Sequence, residues 1–455
     1  MSSTATTPTA DPYDPSSKQY KKARRQYHKT TRNRAKDVDA DWTPFRAKEK
    51  KYKARFPPPD LSDVLDLATL DPTRVEEIAN GGWKGRPDAV EYREIQLKGH
   101  DRGRHARKAY AVPRIPGLVL LPSFVSPETQ RDLVRWSLRD HTRHPNATNL
   151  DTHYILPDRG LWNSLIHTRE NNLEEEIIYP RASAPSPPSP SSASSSAPSI
   201  PELPGPRQLI SNTPSSPSTF PLLSSTPKLP SSPSTSVHPL PTSAIMPKLR
   251  WANIGWFYHW GTKQYDFTKG KQPVSDAYRS VCRDAVESVH WDEVFRREDI
   301  EGWGEEGPDW HTWRDSYEPD AGIVNFYQTR DTLMAHVDRS EVCATSPLVS
   351  ISLGNAAVFL IGGLTRDVEP VPILLRSGDV VIMSGPACRR AYHGVPRILE
   401  NTLPVHLRTL SADDDSKREW APYAEYMRTA RINVNVRQVF PKGFDPGLDV
   451  PVPQC

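Results

Sequence analysis

His336 and Asp338 stand two residues apart in Ala335-His336-Val337-Asp338, and a second imidazole follows at His393 in Ala391-Tyr392-His393-Gly394. Two imidazoles and a carboxylate are donors suited to a divalent transition metal. On a strand, residues i and i+2 share a face, so His336 and Asp338 can reach one ion while Val337 packs behind them. His393 would close the set from a later strand. Three ligands on one side of an octahedral ion leave the opposite positions open, the arrangement in which non-haem Fe(II) oxygenases admit a co-substrate and dioxygen. A closed structural zinc site would need a fourth ligand. The HxD string is weak by itself, because a chain of 455 residues often contains one by chance.

The last hydrophobic run reads Arg431-Ile432-Asn433-Val434-Asn435-Val436-Arg437, a strict polar/apolar alternation that marks a half-buried strand. A solvent-facing edge strand would have this pattern. Two arginines with amide side chains between them also suit the wall of a cavity that holds a dicarboxylate, since guanidinium binds carboxylate through a bidentate fork.

With these residues in view, the chain resembles the AlkB family of Fe(II)- and 2-oxoglutarate-dependent dioxygenases. The resemblance rests on Asn325-Phe326-Tyr327, on His336 to Glu341 (HVDRSE), on Pro347 to Gly363, on Ser377 to Pro386, on His393-Gly394-Val395 and on the arginine strand. Within the family it resembles the eukaryotic AlkB homologue 1 branch, of a fungal type with a Ser/Pro-rich insertion. Leu249-Arg250-Trp251, Gly255 with the aromatics after it, Gly362 to Asp367 and Val395 to Ile398 point there. The stretch from Gly385 to His393 is one residue longer than the family pattern, which leaves open whether Arg389 or Arg390 takes the family arginine's place near substrate.

The resemblance implies that His336, Asp338 and His393 hold Fe(II), and that 2-oxoglutarate binds in a pocket made by Asn325, Tyr327, Arg431, Asn433 and Arg437, with Arg431 on its distal carboxylate. Decarboxylation to succinate, with dioxygen, would then drive hydroxylation of a substrate carbon; where that carbon is an N-methyl group, the product loses formaldehyde. It implies a modified base in nucleic acid as substrate, in tRNA or as N6-methyladenine in DNA, met by Trp251, Trp256, Tyr258, Arg389 and Arg390. Of the aromatics, Trp256 and Tyr258 are expected first at the base, because a flipped base is held between aromatic faces. Two other classes fit the same residues less fully: a hydroxylase or demethylase of histone or ribosomal side chains, and a non-catalytic nucleic-acid-binding protein that keeps the fold.

The elements that must position these groups are of mixed type. The expected architecture is α+β: a double-stranded β-helix, or jelly roll, with two supporting helices and an N-terminal nucleotide-recognition lid. Gly117 to Val125 reads as a strand entering a helix capped by Ser126 with Pro127 at its first position. From Ser275, the residues Tyr278, Val281, Cys282, Ala285, Val286 and Val289 recur at helical spacing. After Gly322 the pattern turns to short strands and turns.

Five segments follow. Residues 1–44 form a basic tail expected to be disordered, 45–181 the N-terminal part of the dioxygenase, 182–247 a disordered Ser/Pro insertion, 248–440 the dioxygenase proper and 441–455 a C-terminal tail. From Lys18 to Arg34 there are many cations and no acid, which suits nucleic acid or an import address. The insertion has little charge and no apolar period, so it lacks the means to offset the entropy of ordering it. Its Ser-Pro and Thr-Pro pairs, among them Ser216 and Thr226, are candidate targets of proline-directed kinases.

Composition sets the outer bounds. With 47 prolines and a mean hydropathy of −0.64, a sizeable part of the chain is not packed core. No run reaches the length of a membrane span, no secretory leader is visible, and the four cysteines form no CxxC pair, which reads as reduced thiols. A net charge of +3 decides nothing. A monomer in nucleus or cytoplasm, with the mitochondrion as a further candidate, is the expectation.

Overall fold

The computed structural model describes residues 42–98, 108–181, 214–226, 228, 232–295, 301–303, 308–408 and 414–447, together with Lys18, Lys21, Lys22 and Arg25. Most of the basic tail, residues 182–213 of the insertion and residues 448–455 lie outside the described residues. No helix among the described residues is long and apolar enough to cross a membrane.

Twelve strands build the two main sheets: β1 (Arg93–Ile95), β2 (Ala109–Ala111), β3 (Leu118–Leu121), β4 (Trp251–Gly255), β5 (Ala321–Gln328), β6 (Leu333–His336), β7 (Leu348–Gly354), β8 (Ala357–Ile361), β9 (Val371–Leu375), β10 (Val380–Met383), β11 (His393–Ile398) and β12 (Ala430–Arg437). The large sheet runs β1-β2-β3-β10-β7-β12-β5-β4 and the small one β6-β11-β8-β9. All their pairings are antiparallel. The principal helices are α1 (Pro44–Lys53), α2 (Pro127–Arg135), α3 (Leu161–Glu170), α4 (Phe220–Ser225), α5 (Asp276–Ser288) and α6 (Asp414–Met427).

Helix α2 begins as its sequence requires: the Ser126 side chain accepts from the Thr129 amide and Pro127 occupies the first turn. Tyr278, Val281, Cys282, Ala285 and Val286 of α5 are all buried. They meet Leu133 and Val134 of α2, Trp162 and Leu165 of α3, Trp420, Tyr423 and Met427 of α6, and the outer face of the large sheet, including Val349, Ile351, Ile432, Val434 and Val436, in one core. Among the described residues four helices therefore back this sheet, where the sequence pattern showed two. Pro422 inside α6 reads as a breaker in the sequence, and α3 lacks a clear apolar stripe.

The inner face of the large sheet looks towards the small one. Leu118, Leu120, Val381 and Met383 of the large sheet pack with Phe359, Ile361, Ile373 and Leu375 of the small sheet. Strand β12 lies in the middle of the large sheet, so its alternation is not that of a solvent-facing edge. Its arginines line an interior.

The disordered insertion is corrected in its C-terminal part. Residues 214–226 dock on the domain: Phe220 is buried against Phe267, Phe440 and Phe444 at ring distances of 5.3 to 5.4 Å, and the Ser215 amide donates to Arg339 O at 2.8 Å. Leu240–Pro241 pairs with Ile177–Ile178, and Ile245 and Met246 enter the main core. A few apolar side chains on a Ser/Pro background give no period, yet each finds a preformed apolar site, which is why periodicity missed them.

Candidate metal centre and its pocket

His336 ends β6 directly opposite His393 at the start of β11, and the ring centroids lie 4.3 Å apart. A Cβ on Gly394 would meet Leu333 O at 2.9 Å, so the missing side chain lets the two histidine strands approach this closely. Asp338 follows just beyond β6, its Oδ1 3.9 Å from His336 Nε2. Ligand atoms of His336, Asp338 and His393 lie within 4.8 Å of one another. This separation fits three ligands around one ion.

Both imidazoles are oriented by their other nitrogen. Nδ1 of His336 donates to Met334 O at 2.9 Å, and Nδ1 of His393 donates to Ala391 O at 3.0 Å. These carbonyls fix the tautomer that leaves Nε2 with a free lone pair. Burial, with His336 acting in the same sense, pushes the His393 imidazole down to about 4, so it is neutral at pH 7, the form that binds a metal. Burial alone would raise the Asp338 carboxyl, but Arg437, followed by His393 and His336, outweighs it and holds the acid well below the usual carboxylate range.

Behind the triad lies a buried ionic group that sequence reasoning did not assign. Arg437 Nε donates to Glu341 Oε1 at 2.6 Å, and the Tyr265 hydroxyl donates to the same oxygen at 3.0 Å. Arg389 Nη2 is 3.8 Å from the other carboxylate oxygen. Burial pushes Glu341 up and Arg437 pulls it further down, so it stays ionised. Glu341 closes the HVDRSE string, and its place there was the one available signal.

The polar face of β12 meets polar residues on both neighbours. Arg431 stands opposite Tyr327, and Asn433 opposite Asn325 on β5; Asn433 also faces Ser352, and Asn435 faces Ser350, on β7. Arg431 is 1% exposed, yet among the described residues its guanidinium hydrogen-bonds only to neutral groups, Ser352 Oγ at 2.8 Å and Asn355 O at 3.1 Å. Its Nε has no hydrogen-bond partner among the described residues. Burial pushes it down to about 10, against the opposing pull of Tyr327. A buried cation with an unused donor and no carboxylate at contact distance fits the terminal carboxylate of a co-substrate. Asn433 instead donates its amide to Ser350 Oγ and Ile351 O, tying β12 to β7.

The expected substrate residues divide. Trp251 lies on the edge strand β4, paired with Asn325, and stacks on the exposed Trp260 at 5.1 Å. Tyr258 sets its edge against Trp260; burial pushes its phenol up to about 12. Trp256 is corrected: it is 4% exposed and packs in the aromatic core with Phe267 and Phe440, because the strand–turn after Gly255 points it inward. Arg389 is also interior, donating to Ser346 O at 2.9 Å. Arg390 spans from Asp338 O at 2.7 Å to Ser215 O at 3.2 Å. Both arginines brace the loop that carries Asp338, and neither points into open space.

A two-histidine, one-carboxylate cluster together with a buried, carboxylate-hungry arginine defines a class, the ferrous 2-oxoglutarate oxygenases, and the sequence comparisons agree. Residues 222–437 match the 2OG-Fe(II) oxygenase superfamily, so the chain carries a domain of that type. It is an enzyme of the dioxygenase type, working with Fe(II), 2-oxoglutarate and dioxygen. Among curated proteins it is similar to the tRNA demethylase abh1 of Schizosaccharomyces pombe, 29% identical over 87% of this chain and 96% of that one. It is similar also to the DNA N(6)-methyladenine demethylase ALKBH1A of Arabidopsis thaliana, 27% identical over 88% and 97%. The nucleic acid dioxygenase ALKBH1 of Mus musculus is 28% identical over 74% of this chain and 68% of its own length. The resemblance to the AlkB homologue 1 branch is thereby established.

Proposed function

We propose that this protein oxidatively demethylates a modified base in nucleic acid, with tRNA the first substrate and N6-methyladenine in DNA the second. The observation that carries the reading is Arg431, a buried guanidinium with a spare donor in a protein that also holds a two-histidine, one-carboxylate cluster. The names of three relatives supply the substrate class.

In this reading His336, Asp338 and His393 hold the iron through two imidazoles and a carboxylate. With 2-oxoglutarate and dioxygen bound, the metal supplies an oxidant strong enough for a substrate C–H bond. The chain's own part is placement. Arg431 and Tyr327 take the distal carboxylate of 2-oxoglutarate, while Arg437, steadied by Glu341, and Asn325 lie towards the metal end. Trp251, Trp260 and Tyr258 form the aromatic rim against which an extruded base stacks. The two facing sheets constitute a double-stranded β-helix, residues 45–181 and 248–440 one catalytic unit, and the β4 region the lid over the base. The protein acts as a monomer in nucleus or cytoplasm, with the mitochondrion a further site, and proline-directed kinases modify its Ser/Pro segment.

The test is turnover on tRNA and on DNA isolated from cells lacking the gene, with Fe(II) and 2-oxoglutarate added. Succinate and formaldehyde should appear together with loss of one methylated nucleoside, identified by mass spectrometry. Succinate release stimulated by histone or ribosomal protein, with no change in any nucleoside, would move the assignment to the protein-modifying class.

A further inference from the structure

Helix α1 carries a carboxylate where its spacing calls for an apolar residue. Its buried positions are Phe45, Glu49 and Tyr52, at i, i+4 and i+7 on one face. Phe45 and Tyr52 pack with Ala335, Val358 and Leu360 of the small sheet, and Glu49 lies among them 3% exposed. A buried charge persists only where it is paired and hydrogen-bonded. Glu49 is both: Oε2 takes Arg46 Nη1 at 3.0 Å, and Oε1 accepts the backbone N–H of Ala335 at 2.6 Å.

Ala335 immediately precedes His336. Strand β6 is the outer strand of the small sheet, and its register to β11 shifts between Leu333 and His336. An edge N–H that turns away from its sheet and is buried needs a partner from elsewhere, and α1 supplies it. The carbonyl of the same residue accepts from Arg366 Nη2 at 3.2 Å, while Arg366 O in turn accepts from the Phe45 amide at 3.1 Å. Both peptide groups of Ala335 are thus held by side chains, one from α1 and one from the loop after β8, and His336 projects from that clamped backbone.

We propose that Glu49 is a positioning residue for the metal centre: by holding the Ala335 amide it fixes the backbone that presents His336. The inference rests on the reading of His336 as a metal ligand. It makes α1 part of the site's construction, although the helix contributes no ligand and lies far upstream in the chain.

Co(II) titration of the full chain, without substrate, tests it. Glu49→Ala should weaken Co(II) binding about tenfold, the scale on which partners that orient ligands act, and should speed hydrogen exchange at the Ala335 amide. Glu49→Gln keeps an acceptor oxygen at the same reach, so its affinity should stay within about twofold of wild type; Arg46→Ala, which removes only the ion pair, should do the same. Unchanged affinity in Glu49→Ala overturns the proposal, and so does a Gln variant as weak as the Ala variant, because charge and not the hydrogen bond would then matter. Where Glu49→Ala does not fold, Glu49→Asp keeps the charge and withdraws the acceptor by one methylene; binding like wild type would again overturn it. His336→Ala, run in parallel, separates the two levels. If it leaves Co(II) binding intact, the metal reading fails and the brace with it; if it abolishes binding while Glu49→Ala does not weaken it, only the brace fails.

Discussion

Asp338 and Arg431 are the two residues on which the chemistry divides, one for the metal and one for the co-substrate. Asp338→Ala removes the only carboxylate of the triad from an open cluster and not from a packed core, so succinate formation should vanish while the circular dichroism spectrum and melting temperature stay close to wild type. Retained turnover in the iron-supplemented variant would remove Asp338 from the ligand set. Arg431→Ala leaves the distal carboxylate of 2-oxoglutarate buried without its cation, a loss of about 2 to 5 kcal/mol in co-substrate affinity. The measurement is the apparent KM for 2-oxoglutarate, and an unchanged value would place the anchor elsewhere. These residues were legible in the sequence because their signals are local: a His-x-Asp string for the ligands, although Asp338 lies just past the end of β6 and not on it as the i, i+2 reading expected, and strict alternation for the arginines. Trp256 was not. An aromatic after a strand has the same signature whether it packs under Phe440 or stacks on a base, and only the turn at Gly255 decides.

Among the elements, β5 carries a titrating feature at its N-terminal edge. Asp320 precedes the strand, accepts the Val439 amide at 2.8 Å, and is pushed up by burial to about 6, against the opposing pull of Lys271. A carboxyl whose folded pKa exceeds its unfolded value binds its proton more tightly in the native state. Its stabilising contribution is therefore complete below about pH 4 and is lost as pH rises through 6, a difference of about 3 kcal/mol. Depressed carboxyls such as Asp63, brought to about 2 by Lys51 and Lys48 against the opposing effect of burial, act in the opposite sense, so the whole-protein curve mixes both. The comparison with Asp320→Asn isolates the one group. Measured by denaturant unfolding, the variant should gain about 3 kcal/mol relative to wild type between pH 4 and pH 7; a pH-independent difference would show that the group titrates normally. Helix and strand types were read well where one period ran without interruption, as in α5 and β12. They were lost in α6, where Pro422 interrupts the signal, and in α1, where Glu49 occupies the buried face.

For the molecule as a whole, the open question at the sequence level was where the folded unit stops and the Ser/Pro insertion begins. Composition places that boundary at Pro247, whereas packing places it much earlier: Ser215 holds Arg339 O, Arg390 bridges Ser215 O to Asp338 O, and Phe220 fills an aromatic site with Phe267, Phe440 and Phe444. Composition averages over a window, and a single well-seated phenylalanine disappears in that average. Two replacements by a Gly/Ser linker distinguish the boundaries. Replacing residues 183–212 should leave the unfolding midpoint unchanged, because closing a loop of different length changes its entropy by only about 0.6 kcal/mol per doubling. Extending the replacement through Thr226 removes Phe220 from its site and the Ser215 segment that straps the Asp338 loop through Arg390. That should destabilise the protein by about 2 kcal/mol from lost aromatic burial and raise the apparent Kd for Co(II), since Arg390 loses the carbonyl on its far side. Equal midpoints for the two replacements would return the boundary to Pro247 and leave the strap without an energetic role. A lower midpoint with unaltered metal affinity would confine that role to packing.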